Sequence, residues 1–334
     1  MSQKNELTHD APKLTLVDRI DIIKNHRLFP VIFPLSMLVV IFLIFIVLTG
    51  GRFADTRVLT GVFNQSLIVA TMATAVAFIY STGNIDISVG NVMGLAACLG
   101  ALAYQVTQSM TVMIVVTMAV GIVLMMFNCV LGLVFNVKSA MVAIVAMSVY
   151  GAITSVLVGA EPIGVDFKAC KVLEGNFRYI AFVLYFVVCL LAFSRTAIGR
   201  KLRFIGGNEN CAEQTGINRK KAIATSYIFA GIGVGRAGVF QVLRTGNVAQ
   251  TIGSGMGMDV MLATVLGGMS IFGGAKSNTF AGFVGAVTVT VLNTGLLMIG
   301  VPSTLIQGFR GVFFLILVFL NSERQKTLPS RQQF

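Results

Sequence analysis

The sequence predicts an all-α polytopic membrane protein with about ten transmembrane helices. Of its 334 residues, 56% are hydrophobic and only 11% are charged, and the mean hydropathy is +0.86. Soluble domains usually carry about 25% charged residues. Long apolar runs follow one another through most of the chain, and the basic residues collect between and beyond them. Together these three observations exclude an ordinary soluble domain.

The apolar runs define the predicted spans, because a helix needs roughly 20 apolar residues to cross about 30 Å of hydrocarbon. They occupy 30–49, 61–82, 88–106, 110–136, 139–158, 177–193, 222–243, 258–274, 277–299 and 301–320. Gly, Ala and Ser interrupt the runs at 88–106 and 139–158. Backbone inside a bilayer must satisfy its own hydrogen bonds, so we expect these two segments to be helical but broken or short.

The basic residues predict the topology. More than half of the 25 Lys and Arg residues lie in the N-terminal tail, the loop at 194–221 and the C-terminal tail. Positively charged segments stay on the cytoplasmic side of a membrane, and ten spans place all three there. We therefore predict a cytoplasmic tail at 1–29, a transmembrane domain at 30–320 and a second cytoplasmic tail at 321–334.

The same topology places the segments 50–60, 106–110, 159–176 and 244–257 on the opposite side of the membrane. Acidic and basic residues nearly balance in 159–176. Such a segment suits a surface that docks a soluble partner, and it suits an ordinary solvated loop equally well.

Composition also excludes several functions. The net charge of +12 does not indicate nucleic acid binding, because the basic residues lie at span ends rather than on an aromatic-rich face. The five Cys residues are scattered and form no C-x-x-C pair, so neither a disulfide framework nor a zinc site is indicated. The two His residues, His9 and His26, precede the first apolar run. We expect no catalytic residue, no metal site and no cofactor.

Two glycine-rich segments resemble nucleotide-binding motifs by their letters alone. Gly233, Gly235 and Gly238 fit G-x-G-x-x-G, but they lie within an apolar run and no strand precedes them. The segment 273–277 resembles the end of a phosphate loop, but Ala275 stands where that loop needs Gly. Close packing of helices explains the first motif better, and we expect the chain itself not to bind ATP.

A weak internal repeat links two parts of the chain. Four residues of the first half are matched at one constant spacing in the second half: Asp86, Val92, Gly94 and Gly100 by Asp259, Val265, Gly267 and Gly273. In the predicted topology the two segments run in opposite directions, which is the arrangement of an inverted repeat, although four matches also arise by chance in an apolar background. Both aspartates fall near span ends, where we expect them to cap short or re-entrant helices.

The loop at 194–221 carries the most local information. The letters Gly206-Gly207-Asn208 predict a turn followed by a helix that Asn208 caps, and Glu209 and Glu213 then lie where the helix dipole favours acids. Gly216 predicts the end of that helix. Two spans can be joined by about four residues. A loop this long, with two helical pieces around a turn, indicates a docking surface.

Uncharged amide side chains inside the spans are the candidates for a translocation path. Such groups can line a wet route for a hydroxyl-rich solute, or they can simply join helices by hydrogen bonds worth about 0.6 kcal/mol each. The candidates are Asn64, Gln65, Asn91, Asn128, Asn293 and Gln307.

Several separated motifs together resemble the permeases of ribose/galactose/xylose-type ABC importers, within the branched-chain amino acid/sugar permease superfamily. These motifs read GNIDISVGNVMGLAA at 83–97, GRKLRFIGGNENCAEQTGI at 199–217, GMDVMLATVLGGMSIFGGA at 257–275, AGFVGAVTVTVLNTGLLMIGV at 281–301 and QGFRGVFFLILV at 307–318. The resemblance covers nearly all of the chain after residue 60. The chain departs from the family at Met258, where Glu is frequent, and at Val137-Lys138, where Ile-Pro is frequent.

The resemblance implies a fold like that of the vitamin B12 importer, the type II permease fold, in the bacterial inner membrane. It implies a second permease copy (a homodimer or a paralogue), a periplasmic substrate-binding protein and a cytoplasmic ABC ATPase, either separate subunits or a fused tandem ATPase. Membrane lipid is the surrounding medium. The residues that match the family's ATPase-coupling loop are Arg200, Gly206, Gly207, Asn208, Glu213 and Gly216.

The resulting hypothesis is a permease subunit that moves a monosaccharide or similar small polyol, with a ribose-like sugar first, by alternating access driven by partner ATPases. Nucleosides or a furanosyl signalling molecule remain alternatives. From another class, an ion-coupled secondary transporter would need ionisable residues at the centre of the membrane, and the predicted spans place no carboxylate there. A purely structural membrane subunit is the third alternative.

Overall fold

The computed structural model describes residues 29–321 except 271–272 and 276, and the chain there is almost entirely helical. The predicted tails at 1–29 and 321–334 lie outside the described residues, apart from the helix-end residues Phe29 and Asn321. The elements are α1 (Phe29–Leu48), α2 (Thr56–Tyr80), α3 (Val89–Thr107), α4 (Met110–Val134), α5 (Ser139–Val158), β1 (Ile163–Gly164), α6 (Phe167–Glu174), α7 (Asn176–Arg195), α8 (Ala197–Gly207), α9 (Glu209–Gln214), α10 (Arg219–Thr245), β2 (Asn247–Val248), α11 (Met256–Leu266), α12 (Thr279–Met298) and α13 (Ser303–Asn321).

Seven of the described helices are long and apolar enough to cross a membrane, namely α2, α3, α4, α5, α7, α10 and α12. Shorter apolar helices occupy Pro34–Leu48 within α1 and the whole of α11. The chain is therefore a polytopic membrane protein, as its composition predicts. One predicted span is too long: the run at 258–274 is helical only to Leu266, because Gly268 and Gly273 follow with φ of 89° and 72°, a conformation that ends a helix.

Polar side chains set where several of these helices begin. The Asp55 carboxylate accepts a hydrogen bond from the Arg57 amide at 2.9 Å and caps α2. Asn278 caps α12 in the same way through the Phe280 amide at 3.0 Å. These caps satisfy amides that have no partner within their own helix, so the start of each helix follows from local sequence.

Glycine allows the central helices to touch at their backbones. A Cβ on Gly121 of α4 would lie 2.6 Å from the Cα of Gly235 on α10, and a Cβ on Gly233 would collide with Ala75 of α2. Gly233 and Gly235 therefore serve close packing between helices, which confirms the packing interpretation of the G-x-G-x-x-G letters.

The helices pack in a reciprocal pattern. Helix α4 packs along α10, and α12 packs along α2 in the corresponding way. The contact between α3 and α4 likewise corresponds to the contact between α11 and α12. Helices α3 and α11 begin against each other inside the bundle. A Cβ on Gly90 would lie 2.6 Å from the Gly257 amide nitrogen, and a Cβ on Gly257 would collide with the Ile87 carbonyl oxygen. The two starts thus share one glycine-lined contact.

A small two-stranded antiparallel sheet, formed by strands far apart in the sequence, marks one end of the bundle, which we call the β end. Ile163 pairs with Val248 and Gly164 with Asn247, and the Val165 amide donates to the Gly246 carbonyl oxygen at 2.9 Å. The predicted segments 159–176 and 244–257 therefore lie together, as the topology requires. The first is not merely a solvated loop, because it also forms α6, whose Cys170 is fully buried. The opposite end carries α8 and α9, and we call it the α8 end.

The glycine contact between α4 and α10 yields a matched pair of substitutions on one helix. We expect Gly121→Ala to destabilise the fold by about 1–3 kcal/mol, because the new methyl group overpacks against α10. Gly132→Ala, where the nearest atom is 3.6 Å away, should be neutral or slightly stabilising. Thermal unfolding of the purified variants in one detergent measures both. Equal stability of the two variants would contradict the packing role of Gly121.

Candidate functional site

The segment at 194–221 folds as two short helices around a turn. Asn208 separates α8 from α9, and its side chain accepts a hydrogen bond from the Cys211 amide at 3.1 Å. Gly216 has a φ of 80°, and its amide donates to the Glu213 carbonyl oxygen just beyond the end of α9. The helix start at Asn208 and the stop at Gly216 are confirmed.

Helix α8 is fastened to the end of α7. The Arg203 guanidinium donates to the carbonyl oxygens of Gly199 and Phe193 at 3.2 and 3.4 Å and lies over the Phe193 ring. The buried side chain of Leu202 adds apolar contact with this part of the bundle. Helix α8 is thus packed directly onto the transmembrane helices.

The far end of α8 reaches a backbone junction between three parts of the chain. The Gly274 amide donates to the Ser81 carbonyl oxygen at 3.1 Å. A Cβ on Gly206 would collide with that same carbonyl oxygen and would lie 2.6 Å from the Gly274 nitrogen. Ser81 begins the connection from α2 to α3, and Gly274 lies in the connection from α11 to α12. One end of α8 therefore contacts the connections beside both α3 and α11.

The other candidate residues of the loop face solvent. The Gly207 α-carbon has open space around it, and Glu213 is exposed on α9. The exposed Arg200 guanidinium donates to the Arg195 carbonyl oxygen at 3.3 Å. Gly206 is thus the member of this set whose packing ties the loop to the bundle, whereas the exposed members form a surface.

A cavity of about 710 Å³ opens at the β end, and we call it the β-end cavity. Small-molecule sites usually enclose roughly 300–1,000 Å³. Its wall is rich in hydroxyl, amide and charged side chains, which include Gln65, Gln241, Arg244, Thr251, Ser254, Asp259, Thr290, Asn293, Thr294 and Arg310. Such a wall suits a polar, hydrogen-bonding solute.

A second cavity of about 920 Å³ opens at the α8 end, and we call it the α8-end cavity. Asn128, Ser139 and Tyr227 contribute polar groups to its wall, and Lys138 and Lys220 contribute positive charge. Arg219 also lines it and forms an ion pair with Glu209 at the start of α9. The two short helices of the loop therefore border this cavity directly.

Three side chains meet in the wall of the β-end cavity, and we call them the Asp259 cluster: Asp259 of α11, Asn293 of α12 and Arg310 of α13. The Arg310 Nε lies 2.9 Å from Asp259 Oδ1 and also donates to Asn293 Oδ1 at 3.1 Å. Asn293 Nδ2 donates to Asp259 Oδ1 at 3.1 Å. A charge pair is thus held between three helices with little access to water.

A second cluster with the same plan lies towards the α8 end. It comprises Asp86, Ser88, Asn128 of α4 and Tyr150 of α5, and we call it the Asp86 cluster. Asp86 Oδ1 accepts from the amide and the hydroxyl of Ser88, at 2.9 and 2.6 Å. Asn128 Nδ2 donates to Ser88 Oγ at 2.9 Å, and Tyr150 donates its hydroxyl to Asn128 Oδ1 at 2.8 Å.

The expected capping role of the two aspartates is wrong. Ser88 and Gly255 occupy the cap positions of α3 and α11, and no side chain caps either helix. The Asp86 carboxylate instead folds the turn ahead of α3, and the Asp259 carboxylate pairs with Arg310, two helices further along the chain. Helix α11 is nevertheless short, as that expectation required.

The six predicted path residues divide between the cavities and the helix interfaces. Gln65 and Asn293 line the β-end cavity, and Asn128 lines the α8-end cavity. Asn64 Oδ1 accepts from Arg178 and Tyr179 of α7, which joins α7 to α2. The remaining two candidates also lie outside both cavities. Asn91 donates to the Met147 carbonyl oxygen at 2.8 Å, and Gln307 is exposed on α13.

Sequence reasoning overlooked Arg310, the basic member of the Asp259 cluster. Arg310 interrupts the apolar run at 301–320, and an ionisable residue in such a run is itself the signal of a functional or paired group. Arg236 gives the same signal within α10, and its guanidinium lies over the rings of Tyr185 and Phe240. Ser81 has no comparable signal, because only its backbone carbonyl takes part. Among the described residues no three His, Cys, Asp or Glu side chains are grouped as a metal site requires.

Comparison with curated proteins identifies relatives that span most of the chain. The ribose import permease protein RbsC of Escherichia coli K12 is 26% identical over 302 residues, which cover 87% of this chain and 94% of that protein. The galactofuranose transporter permease protein YtfT of the same strain is 24% identical, covering 84% and 83%. The autoinducer 2 import system permease protein LsrD of Salmonella paratyphi B is 26% identical, covering 83% and 88%.

No solved structure is significantly similar to the chain. The family model described as "Branched-chain amino acid transport system / permease component" matches residues 58–320, which include both cavities, both clusters and the α8–α9 segment. The chain therefore belongs to the family of branched-chain amino acid transport system permease components.

Proposed function

We propose that the chain is the transmembrane permease subunit of an ATP-binding-cassette importer, and that it moves a monosaccharide or similar small polyol across the bacterial inner membrane. Relatives named for ribose, galactofuranose and autoinducer 2 import support a hydroxylated cargo. A ribose-like sugar is the first choice. The subunit is not an enzyme in this proposal, because ATP hydrolysis belongs to the partner ATPase.

The contact of α8 with both helix connections is the observation that carries this proposal. Gly206 packs against Ser81 and Gly274, which lie beside α3 and α11. A force applied to the exposed surface of α8 and α9 would therefore reach both helices at once. Arg200, Gly207, Asn208, Glu213 and Gly216 belong to the surface on which an ATPase would act. This arrangement suits alternating access driven from outside the membrane domain.

The fold proposed is a ten-span, type II permease like that of the vitamin B12 importer. The described helices α1, α2, α3, α4, α5, α7, α10, α11, α12 and α13 would be the ten spans. The reciprocal packing of α2–α5 and α10–α13 supports an inverted repeat, and so do the two clusters of like plan. In this repeat Asp86 and Asp259 correspond.

The α8 end is proposed to face the cytoplasm. The basic residues of the 194–221 loop support this, since positively charged loops stay inside. Both chain termini would then be cytoplasmic, and the β end would face the periplasm. The β-end cavity, with Gln65 and Asn293, would receive the solute, and the α8-end cavity, with Asn128, would release it.

The partners proposed are an ABC ATPase (separate subunits or a fused tandem), a periplasmic substrate-binding protein and a second permease copy, identical or paralogous. The two-stranded sheet, α6 and the rim of the β-end cavity would receive the binding protein. Nucleosides or a furanosyl signalling molecule are the alternative cargoes, because a wall of hydroxyl and amide groups suits them as well.

Reconstituted transport tests the proposal. We expect vesicles that contain the permease with its partner ATPase and binding protein to accumulate a radiolabelled sugar only when ATP is supplied. Thermal-shift screening of that binding protein against sugars and nucleosides selects the cargo for the assay. An ATPase variant without its catalytic residue serves as the control.

The same vesicles separate the rival functions. Uptake that persists without the ATPase and follows a proton or sodium gradient would favour an ion-coupled transporter, and the buried Asp86 and Asp259 would then be its first candidate sites. A rate of ATP hydrolysis by the partner ATPase that does not depend on the permease would favour a structural subunit.

Two neighbouring glycines test the coupling surface. We expect Gly206→Ala to lower ATP-driven uptake about tenfold, because overpacking against Ser81 by about 1.4 kcal/mol would displace the end of α8. Gly207→Ala, whose new methyl group meets open space, should transport normally. Initial uptake rates at equal amounts of membrane-inserted protein measure the difference. The coupling role of the junction fails if the two variants transport equally.

A further inference from the structure

The Asp259 cluster has hydrogen-bonding capacity that the fold does not use. Arg310 directs a single nitrogen, Nε, to both Asp259 and Asn293. Its two terminal amino groups make no hydrogen bond or ion pair within the described part of the chain. One of these groups, Nη1, lies so close to Gly255 that a side chain at position 255 would collide with it. The guanidinium therefore keeps donors available at the cavity wall.

The cluster lines the cavity and is only slightly exposed. The side chains of Arg310 and Asp259 are 15% and 8% exposed. A desolvated charge pair strengthens hydrogen bonds to a neighbouring group, because the local dielectric is low. The opposite charges of Asp259 and Arg310 lie close together, so their electric fields largely cancel further away. The site would therefore not favour a strongly charged ligand.

The donors and acceptors of the cluster define the ligand class. A carboxylate accepts, a guanidinium donates through a planar fork, and an amide does both. Adjacent hydroxyls on a sugar ring present one donor and one acceptor side by side, which matches a carboxylate next to a guanidinium. A cation would be repelled by Arg310 and an anion by Asp259, so a neutral polyol fits best.

The Asp86 cluster provides an internal comparison. It repeats the aspartate, the asparagine and a donor from the next helix, but Tyr150 stands where Arg310 stands in the Asp259 cluster. A hydroxyl has one donor where a guanidinium has five. The shared plan therefore explains how the start of each of the two helices, α3 and α11, is held, whereas only the Asp259 cluster of the two carries surplus guanidinium donors.

We propose that Asp259, Asn293 and Arg310 form a binding site for the adjacent hydroxyls of a furanose or pyranose ring, on the wall of the β-end cavity. The permease would then hold its cargo itself and discriminate among sugars, rather than offer only an unspecific path. This inference rests on the proposed function for the direction of transport, but binding at the site is measured without transport.

A cysteine reporter tests the site. Thr294 lines the cavity next to Asn293 and is half-buried. In a background with the exposed Cys211 changed to Ser, Thr294→Cys would be labelled by a membrane-impermeant thiol reagent. We expect about 100 mM ribose, galactose or methyl ribofuranoside to slow labelling roughly tenfold, as a site with a Kd of about 10 mM requires. Methyl 2-deoxyribofuranoside, which lacks adjacent hydroxyls, should not slow it.

The comparison of methyl ribofuranoside with its 2-deoxy analogue needs no change in the cluster, so a misfolded variant cannot obscure it. Asn293→Leu should abolish the protection, whereas Gln105→Leu, which replaces an exposed amide of α3 outside both cavities, should preserve it. No protection by any of the three sugars, or equal protection by the 2-deoxy analogue, would overturn the site.

The outcomes for the site and for the proposed function are distinguishable. If ATP-driven uptake occurs without protection, the proposed function stands and the binding site fails. If protection occurs without ATP-driven uptake, the binding site stands and the proposed function fails.

Discussion

Close backbone contact at glycine is the constraint on which the architecture depends. Helices α3 and α11 both begin inside the bundle, where Gly90 and Gly257 leave no room for a side chain. Helix starts carry unpaired amides, and in a bilayer these need partners within the protein. Bringing the two starts together between α2, α4, α10 and α12 buries them in protein. A larger residue at either glycine would push the starts apart.

This meeting point also places the polar chemistry. The turn before α3 carries Asp86 and the first turn of α11 carries Asp259, so two acidic groups are drawn into the interior. Each then finds partners on the following helices, and the partners differ. Tyr150 supplies a neutral donor in one half, and Arg310 supplies a charge in the other. Two similarly placed helix starts thus lead to two unlike polar sites, one towards each cavity.

The α8 segment connects this framework to the solvent. Its packing on Ser81 and Gly274 places one rigid element against the connections that lead to α3 and from α11. Ile205 of α8 lines the α8-end cavity, together with Glu209 of α9 and Arg219 at the start of α10. Movement of α8 would therefore change the cavity and both helix connections together.

Local sequence determined much of this protein. Hydrophobic runs predicted the helices, because burial in lipid needs long apolar segments, and Asn208 and Gly216 predicted the turn and stop of α9, because caps act within a few residues. The end of α11 at Leu266 and the strand pairing of Ile163 with Val248 were not foreseen from the sequence. The first follows from glycine conformation and the second from contact between distant segments.

Only the tertiary structure decided which polar residues meet. Asn64 and Asn293 look alike in the sequence, yet one joins two helices and the other lines a cavity. The ion pair of Asp259 with Arg310 spans three helices, and the contact at Ser81 uses a backbone carbonyl that every residue possesses. Sequence determines where a chain is apolar and where its helices start, because these are local properties. The neighbours of a side chain depend on how the helices pack.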